Sequence, residues 1–172
     1  MPLPATPPRR LIGLDPGLRF TGWGVVETRA GGKLTHIADG TLPTDSKATL
    51  AARLVQIEAG LAEVFETWQP THAGVEQSFV NRDGAATLKL GAARGVCLLV
   101  AARSGCEVVE YAPNTVKRAV TGSGHADKRQ IAAMVKVLLP RAAPDSEHAA
   151  DALAVAITLA HSSTARALEA AT

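Results

Sequence analysis

The sequence predicts an α/β fold: a mixed five-stranded sheet, three antiparallel strands plus two parallel crossover strands, flanked by helices. Three observations support this. Short apolar or alternating runs follow one another over residues 11–42, divided only by Asp-Pro-Gly and by Gly31-Gly32, both turn signals. From residue 46 onward, strand-like runs alternate with helical periods, the order that builds crossover connections and parallel pairing. Apolar residues make up 47% of the 172, with 32 Ala and only 6 aromatics, so the core is aliphatic and its helices pack closely. That length suits one domain.

Residues 1–9 contain four prolines and no apolar period, and read as a disordered N-terminal extension. LIGLD at 11–15 is a first strand, FTGWGVVE at 20–27 a second, and KLTHIADGTL at 33–42 a third beyond the glycine hairpin. Ser46 caps a helix reaching about Trp68, with Leu50, Leu54, Ile57, Leu61 and Val64 at helical spacing and Pro70 past its end. HAGVEQ at 72–77 is a fourth strand, followed by the loop SFVNRDG. Residues 85–103 form a helix of small residues, and CEVVEY at 106–111 is a strand closed by Pro113. A short helix at 113–120 leads into the Gly-rich loop TGSGH at 121–125. Helices from about Asp127 to Leu139 and from about Ser146 to Thr164 complete the order βββαβαβααα. The domain spans 10–165, with 166–172 a flexible C-terminal tail.

At 20% charged, with apolar residues throughout, the composition excludes long-range disorder. No uninterrupted apolar run approaches the ~20 residues that span a bilayer, and the N-terminus lacks the apolar stretch of a signal peptide. Cys97 and Cys106 cannot make a disulfide framework and are expected to be buried and inert, so the expected location is cytoplasmic. Charge is unevenly distributed. Residues 112–143 hold six basic residues against Asp127 alone, net +5, leaving twelve basic and fifteen acidic residues elsewhere, net −3. One basic segment on a mildly acidic body suits a polyanion on one face, or is a solvated helix surface.

A few carboxylates are placed where packing does not explain them. Asp15 ends an apolar strand at the turn, and Glu76 ends the fourth strand after AGV. Asp151 interrupts the apolar helix AADALAVAITLA, and His148, three residues earlier, shares its face. Singly, these read as a turn, an exposed cap, an ion-paired acid and a hydrogen-bonded imidazole. Together they are costly without cations, because buried acids are desolvated and grouped acids repel. An oxygen-rich set favours Mg2+ or Mn2+ over zinc. Two such ions ~3.5–4 Å apart would clamp the attacking and leaving oxygens of a phosphodiester.

LIGLDPGLRFTGWGVV at 11–26, GVEQSFVNRDGAATLKLGAARGV at 74–96, YAPNTVKRAVTGSGHADKRQ at 111–130 and HAADALAVAIT at 148–158 together resemble the RuvC family of bacterial crossover (Holliday) junction endonucleases. The resemblance implies a ribonuclease H-like fold and a homodimer. It also implies paired metal-dependent nicks, in strands of like polarity, across a four-way DNA junction. It carries metal-binding roles onto Asp15, Glu76 and Asp151. The fourth ligand position of the family is often Asp and is His148 here, as in some members; imidazole, softer than carboxylate, favours Mn2+ relative to Mg2+.

The same resemblance places an aromatic that stacks on a junction base at Phe79, which otherwise reads as a core-facing residue. Lys117 and Lys128 match basic positions near the active site, and either contact phosphate or stabilise transition-state charge. Arg82, Lys89, Arg118 and Arg129 are backbone contacts or ordinary surface charges. Ser123, between Gly122 and Gly124, belongs to a loop that either approaches DNA through its amides or is simply flexible. Gly91 and Gly95 permit close approach of another helix, by packing on the sheet or across a symmetric dimer. The branch-migration proteins RuvA and RuvB are implied partners, and no membrane association is expected. Two other readings are weighed: a junction-binding protein of the same fold that does not cleave, and a lobe of an actin-like ATPase, for which 172 residues supply no second lobe.

Overall fold

The computed structural model describes residues 8–78 and 82–169. Strands β1 (Arg9–Asp15), β2 (Phe20–Thr28) and β3 (Leu34–Pro43) are followed by helix α1 (Leu50–Trp68), β4 (His72–Glu76), α2 (Gly84–Arg103) and β5 (Glu107–Tyr111). Helices α3 (Pro113–Thr121), α4 (Lys128–Leu138) and α5 (Glu147–Glu169) complete the chain. The sheet order is β3-β2-β1-β4-β5. β2 pairs antiparallel with both β1 and β3, whereas β4 pairs parallel with both β1 and β5. This is the mixed sheet the sequence predicts.

Strand alternation sorts the core onto two faces. Ile12 and Leu14 of β1, Val25 of β2 and Ala73 and Val75 of β4 pack against Ile57, Leu61 and Phe65 of α1 and Ala93, Cys97 and Val100 of α2. On the opposite face, Leu11, Val26 and Tyr111 meet α3, α4 and the buried length of α5. That second face is floored with glycine, since Gly13 stands opposite Gly24 of β2 and Gly74 of β4. A Cβ on Gly13 would lie 2.0 Å from the carbonyl oxygen of Ala152 and 2.4 Å from the amide of Ala156. The backbone of α5 therefore rests directly on the sheet.

Several predicted boundaries shift for local reasons. α1 starts at Leu50 with Thr49 as cap, its hydroxyl accepting from the Ala52 amide at 3.3 Å, and not at Ser46. Residues 44–48 instead form a turn held by Asp45, whose carboxylate accepts from the Lys47 amide and whose carbonyl accepts from Ala48. β1 takes in Arg9, assigned to the N-terminal extension, because Arg9 pairs with Thr28. α5 runs to Glu169, past the expected end near Thr164 and the domain boundary at 165; Ala165, Ala167 and Leu168 favour helix and no Gly or Pro stops it. Residues 1–7 and 170–172 of the predicted extension and tail lie outside the described residues. Among the described residues one helix, α2, is long and apolar enough by length and composition to cross a bilayer. Lys89 and Arg94 interrupt it, so no unbroken apolar run marks it in the sequence. Both thiols are buried as expected, and burial pushes Cys97 up to about 12 and Cys106 up to about 11.

Candidate active site

In the parallel register Leu14 stands beside Val75, so the next residues, Asp15 and Glu76, close adjacent strands at one rim of the sheet. Both lie on the alternation that carries Gly13 and Gly74, and so both face α5. The carboxyl ends of strands are where open α/β sheets hold their ligands. α5 brings the remaining two groups. His148 Nδ1 lies 3.1 Å from Asp15 Oδ2, and Asp151 follows one turn along the same face.

Three features fix the first turn of α5. Ser146 caps it, its hydroxyl accepting from the Ala149 amide at 3.0 Å. The same hydroxyl meets Thr41 Oγ1 of β3 at 2.5 Å, tying the helix end to the sheet. Gly22, paired with Asp15 across β1 and β2, lies so close beneath that a Cβ there would stand 2.0 Å from the His148 carbonyl oxygen. The Phe20 ring then sits 5.6 Å from the imidazole of His148, tilted by 31°.

Asp15, Glu76, His148 and Asp151 line one cavity of about 580 Å3, together with Lys117 of α3 and Lys128 at the start of α4. Burial, then the Asp151 charge, pushes Asp15 up to about 7. Burial, then the charges of Asp15 and Asp151, pushes Glu76 up to about 8. The two carboxyls share a hydrogen bond that favours the proton on Glu76. Asp151 is also raised by burial, an effect that Lys128 opposes. Lys128 Nζ lies 3.0 Å from Glu147 and 4.0 Å from Asp151, which holds the ammonium above its usual range and Glu147 below the usual carboxylate range.

Grouped acids whose ionisation is this unfavourable are suited to a cation, and oxygen donors with one imidazole and no thiol match a hard divalent ion. Among the described residues no three or more His, Cys, Asp or Glu side chains are gathered closely enough to hold one metal ion as they stand. The donors instead stand around the cavity wall.

The structure brings together all six residues predicted to be catalytic. The predicted DNA contacts are more dispersed. Arg118 is exposed on α3, Arg129 on α4, Arg82 in the loop before α2 and Lys89 within α2; none of these lines the cavity. Ser123 lies in the loop before α4, where its hydroxyl accepts from the His125 amide at 3.3 Å. Phe79 lies outside the described residues. Sequence reading missed Glu147, Phe20, Thr41 and Gly22. The signal for Gly22 was present in the alternation of Gly22 and Gly24 along a strand, a spacing that marks close backbone approach.

The family profile described as crossover junction endodeoxyribonuclease RuvC matches residues 11–159. The RuvC crossover junction endodeoxyribonuclease of Mesorhizobium japonicum is 60% identical over 152 residues, covering 88% of this chain and 89% of that protein. That of Parvibaculum lavamentivorans is 58% identical, covering 90% of this chain and 87% of its own length. Among solved structures, Thermus thermophilus RuvC in complex with a Holliday junction substrate superposes with a TM-score of 0.82 at 34% identity, covering 92% of this chain and 95% of that one. The family match, the overall likeness and the rim of acids agree: this chain belongs to the RuvC family of crossover junction endodeoxyribonucleases.

Proposed function

We propose that this protein resolves four-way DNA junctions by paired, symmetric nicks during recombination and repair. Phosphodiester hydrolysis takes place in the cavity of Asp15, Glu76, His148 and Asp151. The observation that carries the reading is the convergence of these four, from two strand ends and one helix, with Asp15 and Glu76 pushed up to about 7 and 8. A protein that only held DNA would gain nothing from acids facing phosphate, and this disfavours the non-cleaving alternative. The test incubates a synthetic four-way junction with Mg2+, Mn2+ or chelator beside a linear duplex of the same sequence. Metal-dependent nicking confined to the junction is expected; no nicking, or equal nicking of the duplex, overturns the reading.

Asp15, Glu76, His148 and Asp151 would hold two divalent ions. When bound, such ions lower the pKa of an attacking water and offset charge on the departing 3′ oxygen. The protein's own groups do the rest. Asp15 accepts or donates at His148 Nδ1 and so sets the imidazole's orientation. Glu147 holds the Lys128 ammonium at the mouth of the cavity, and Lys117 stands on the α3 wall; both lysines engage the strand backbone. Because imidazole is the softer donor, His148→Asp should lower the ratio of Mn2+-supported to Mg2+-supported nicking rates several-fold. An unchanged ratio counts against His148 as a ligand.

Two symmetric cuts need two equivalent sites. Leu88, Gly91, Gly95 and Leu99 form one exposed stripe on α2, with Leu88 76% and Leu99 57% exposed. A Cβ on Gly91 or Gly95 would meet nothing within 4 Å, so these glycines do not pack on the sheet. We assign this face to a second copy of the chain. Leu88→Asp with Leu99→Asp should convert dimers to monomers in light scattering and turn paired cuts into single nicks, whereas an unchanged mass excludes this face. Association with the branch-migration proteins RuvA and RuvB is proposed from family membership.

A further inference from the structure

The cavity's own cations are Lys117 of α3 and Lys128 of α4, the latter 3.0 Å from Glu147 and 4.0 Å from Asp151 of α5. At the sheet rim β4 lies on one side of β1 and β2 on the other. On the far side of β1, the β1–β2 turn carries Arg19, exposed, its guanidinium 5.3 Å from the centre of the Phe20 ring. Phe20 in turn packs on His148 at 5.6 Å. An aromatic ring thus separates one fixed cation from a candidate metal ligand.

The turn that presents Arg19 is held rigid. Thr21 Oγ1 donates to the Gly17 carbonyl at 2.8 Å and Thr44 Oγ1 to the Leu18 carbonyl at 2.5 Å. The Thr44 amide donates to the Arg19 carbonyl at 3.1 Å, and Arg53 to the Leu18 carbonyl at 3.2 Å. Gly17 is required at its position, because a Cβ there would lie 2.2 Å from the Phe20 carbonyl oxygen. Several arginines are engaged, Arg10 and Arg29 with Glu27, Arg94 with Glu110, Arg103 with Glu58, and Arg53 with Thr44 and this turn, whereas Arg118 and Arg129, on α3 and α4, share with Arg19 the lack of an acidic partner among the described residues. Among the described residues Arg19 has no acidic partner. A preorganised, unneutralised guanidinium beside a phosphodiester site is built to take an anion, and its position fits a phosphate other than the one being cut.

We propose that Arg19 is a second phosphate grip, holding the junction strand at the β1–β2 turn while Lys117 and Lys128 hold it at the cavity. The proposal rests on the nuclease reading of the site. The held turn sets where Arg19 leaves the backbone, and the Phe20 ring lies 5.3 Å from its guanidinium carbon.

Salt dependence of junction binding tests this, measured with chelator so that cleavage does not intervene. Each phosphate contact contributes about −0.9 to the slope of log affinity against log salt. Arg19→Gln should therefore flatten the slope by about one per subunit. Raising salt from 50 to 200 mM should then cost the native protein about 3-fold more affinity per lost contact than it costs the variant. Arg19→Lys, which keeps the charge, should restore the slope. A native slope for Arg19→Gln overturns the proposal, as does weaker binding with the slope unchanged, since that marks a structural effect. Failure of the native protein to nick the junction once divalent metal is restored overturns the nuclease reading instead, and the same slopes on linear duplex still decide Arg19.

Discussion

Asp15→Asn is expected to abolish junction cleavage while leaving junction affinity within a few-fold of native. Asp15 sits where the other groups meet, hydrogen-bonded to Glu76 and 3.1 Å from His148 Nδ1. Asn preserves shape and hydrogen bonding but cannot supply anionic charge to a divalent ion. Cation stabilisation of a reacting phosphodiester contributes several kcal/mol, so its loss should slow nicking by about a thousandfold or more. The measurement is single-turnover nicking of a four-way junction at saturating Mg2+ or Mn2+, beside a binding titration with chelator. Residual nicking within tenfold of native removes Asp15 from the metal site.

The same substitution has a second, opposite effect on stability. Asp15 and Glu76 have folded pKa values of about 7 and 8, above their ordinary values of 3.8 and 4.5. Between those values the folded, metal-free protein binds more protons than the unfolded chain. Its stability is therefore full below about pH 4 and is lost as pH rises through 7 and 8. The pair is coupled, so the loss is counted once, on the order of a few kcal/mol. Asp15→Asn removes one member and relieves Glu76. In chelator at pH 8 the variant should melt above the native protein, whereas at pH 4 the two should converge. Added divalent ion should raise the native melting temperature and leave the variant nearly unmoved. A variant that melts below native at pH 8 refutes the electrostatic account.

Strand and helix order was legible because each element carries its own period, and the crossover pattern leaves few ways to connect them. The acids were legible because each interrupts an apolar context: Asp15 after LIGL, Glu76 after AGV, Asp151 within AADALAVAITLA. What holds them in place was not. Thr41 and Ser146 are 105 residues apart and meet at 2.5 Å only because β3 passes the N-terminus of α5. Glu147 engages Lys128 across 19 residues, through the packing of α4 against α5. Cap positions were also hidden, since Ser46 and Thr49 are both good N-caps and only the turn around Asp45 decides between them. Local pattern identifies chemistry-bearing residues, but the groups that orient them come from tertiary contacts.

The glycine floor gives the largest expected effect on folding. In Gly13→Ala the new Cβ meets two backbone atoms of α5, at 2.0 and 2.4 Å, well inside contact distance. Neither can rotate away as a side chain would, so the helix must rise from the sheet by roughly 1 Å or more. That movement would loosen Leu153, Val155, Ile157 and Leu159, all buried along α5. Overpacking a core costs about 1–3 kcal/mol when side chains can adjust, and a clash with fixed backbone should exceed about 4 kcal/mol. Urea unfolding should show this loss, or the variant should fail to accumulate folded. Gly84→Ala, at the start of α2 where a Cβ meets nothing, should stay within about 0.5 kcal/mol of native. Gly22→Ala separates support from stability, because its Cβ strikes the His148 carbonyl at 2.0 Å, at the end of α5 and not in its middle. It should lose nicking out of proportion to its loss of stability. Near-native stability for Gly13→Ala would mean that α5 does not rest on the sheet, and the placement of His148 and Asp151 over Asp15 and Glu76 would lose its structural basis.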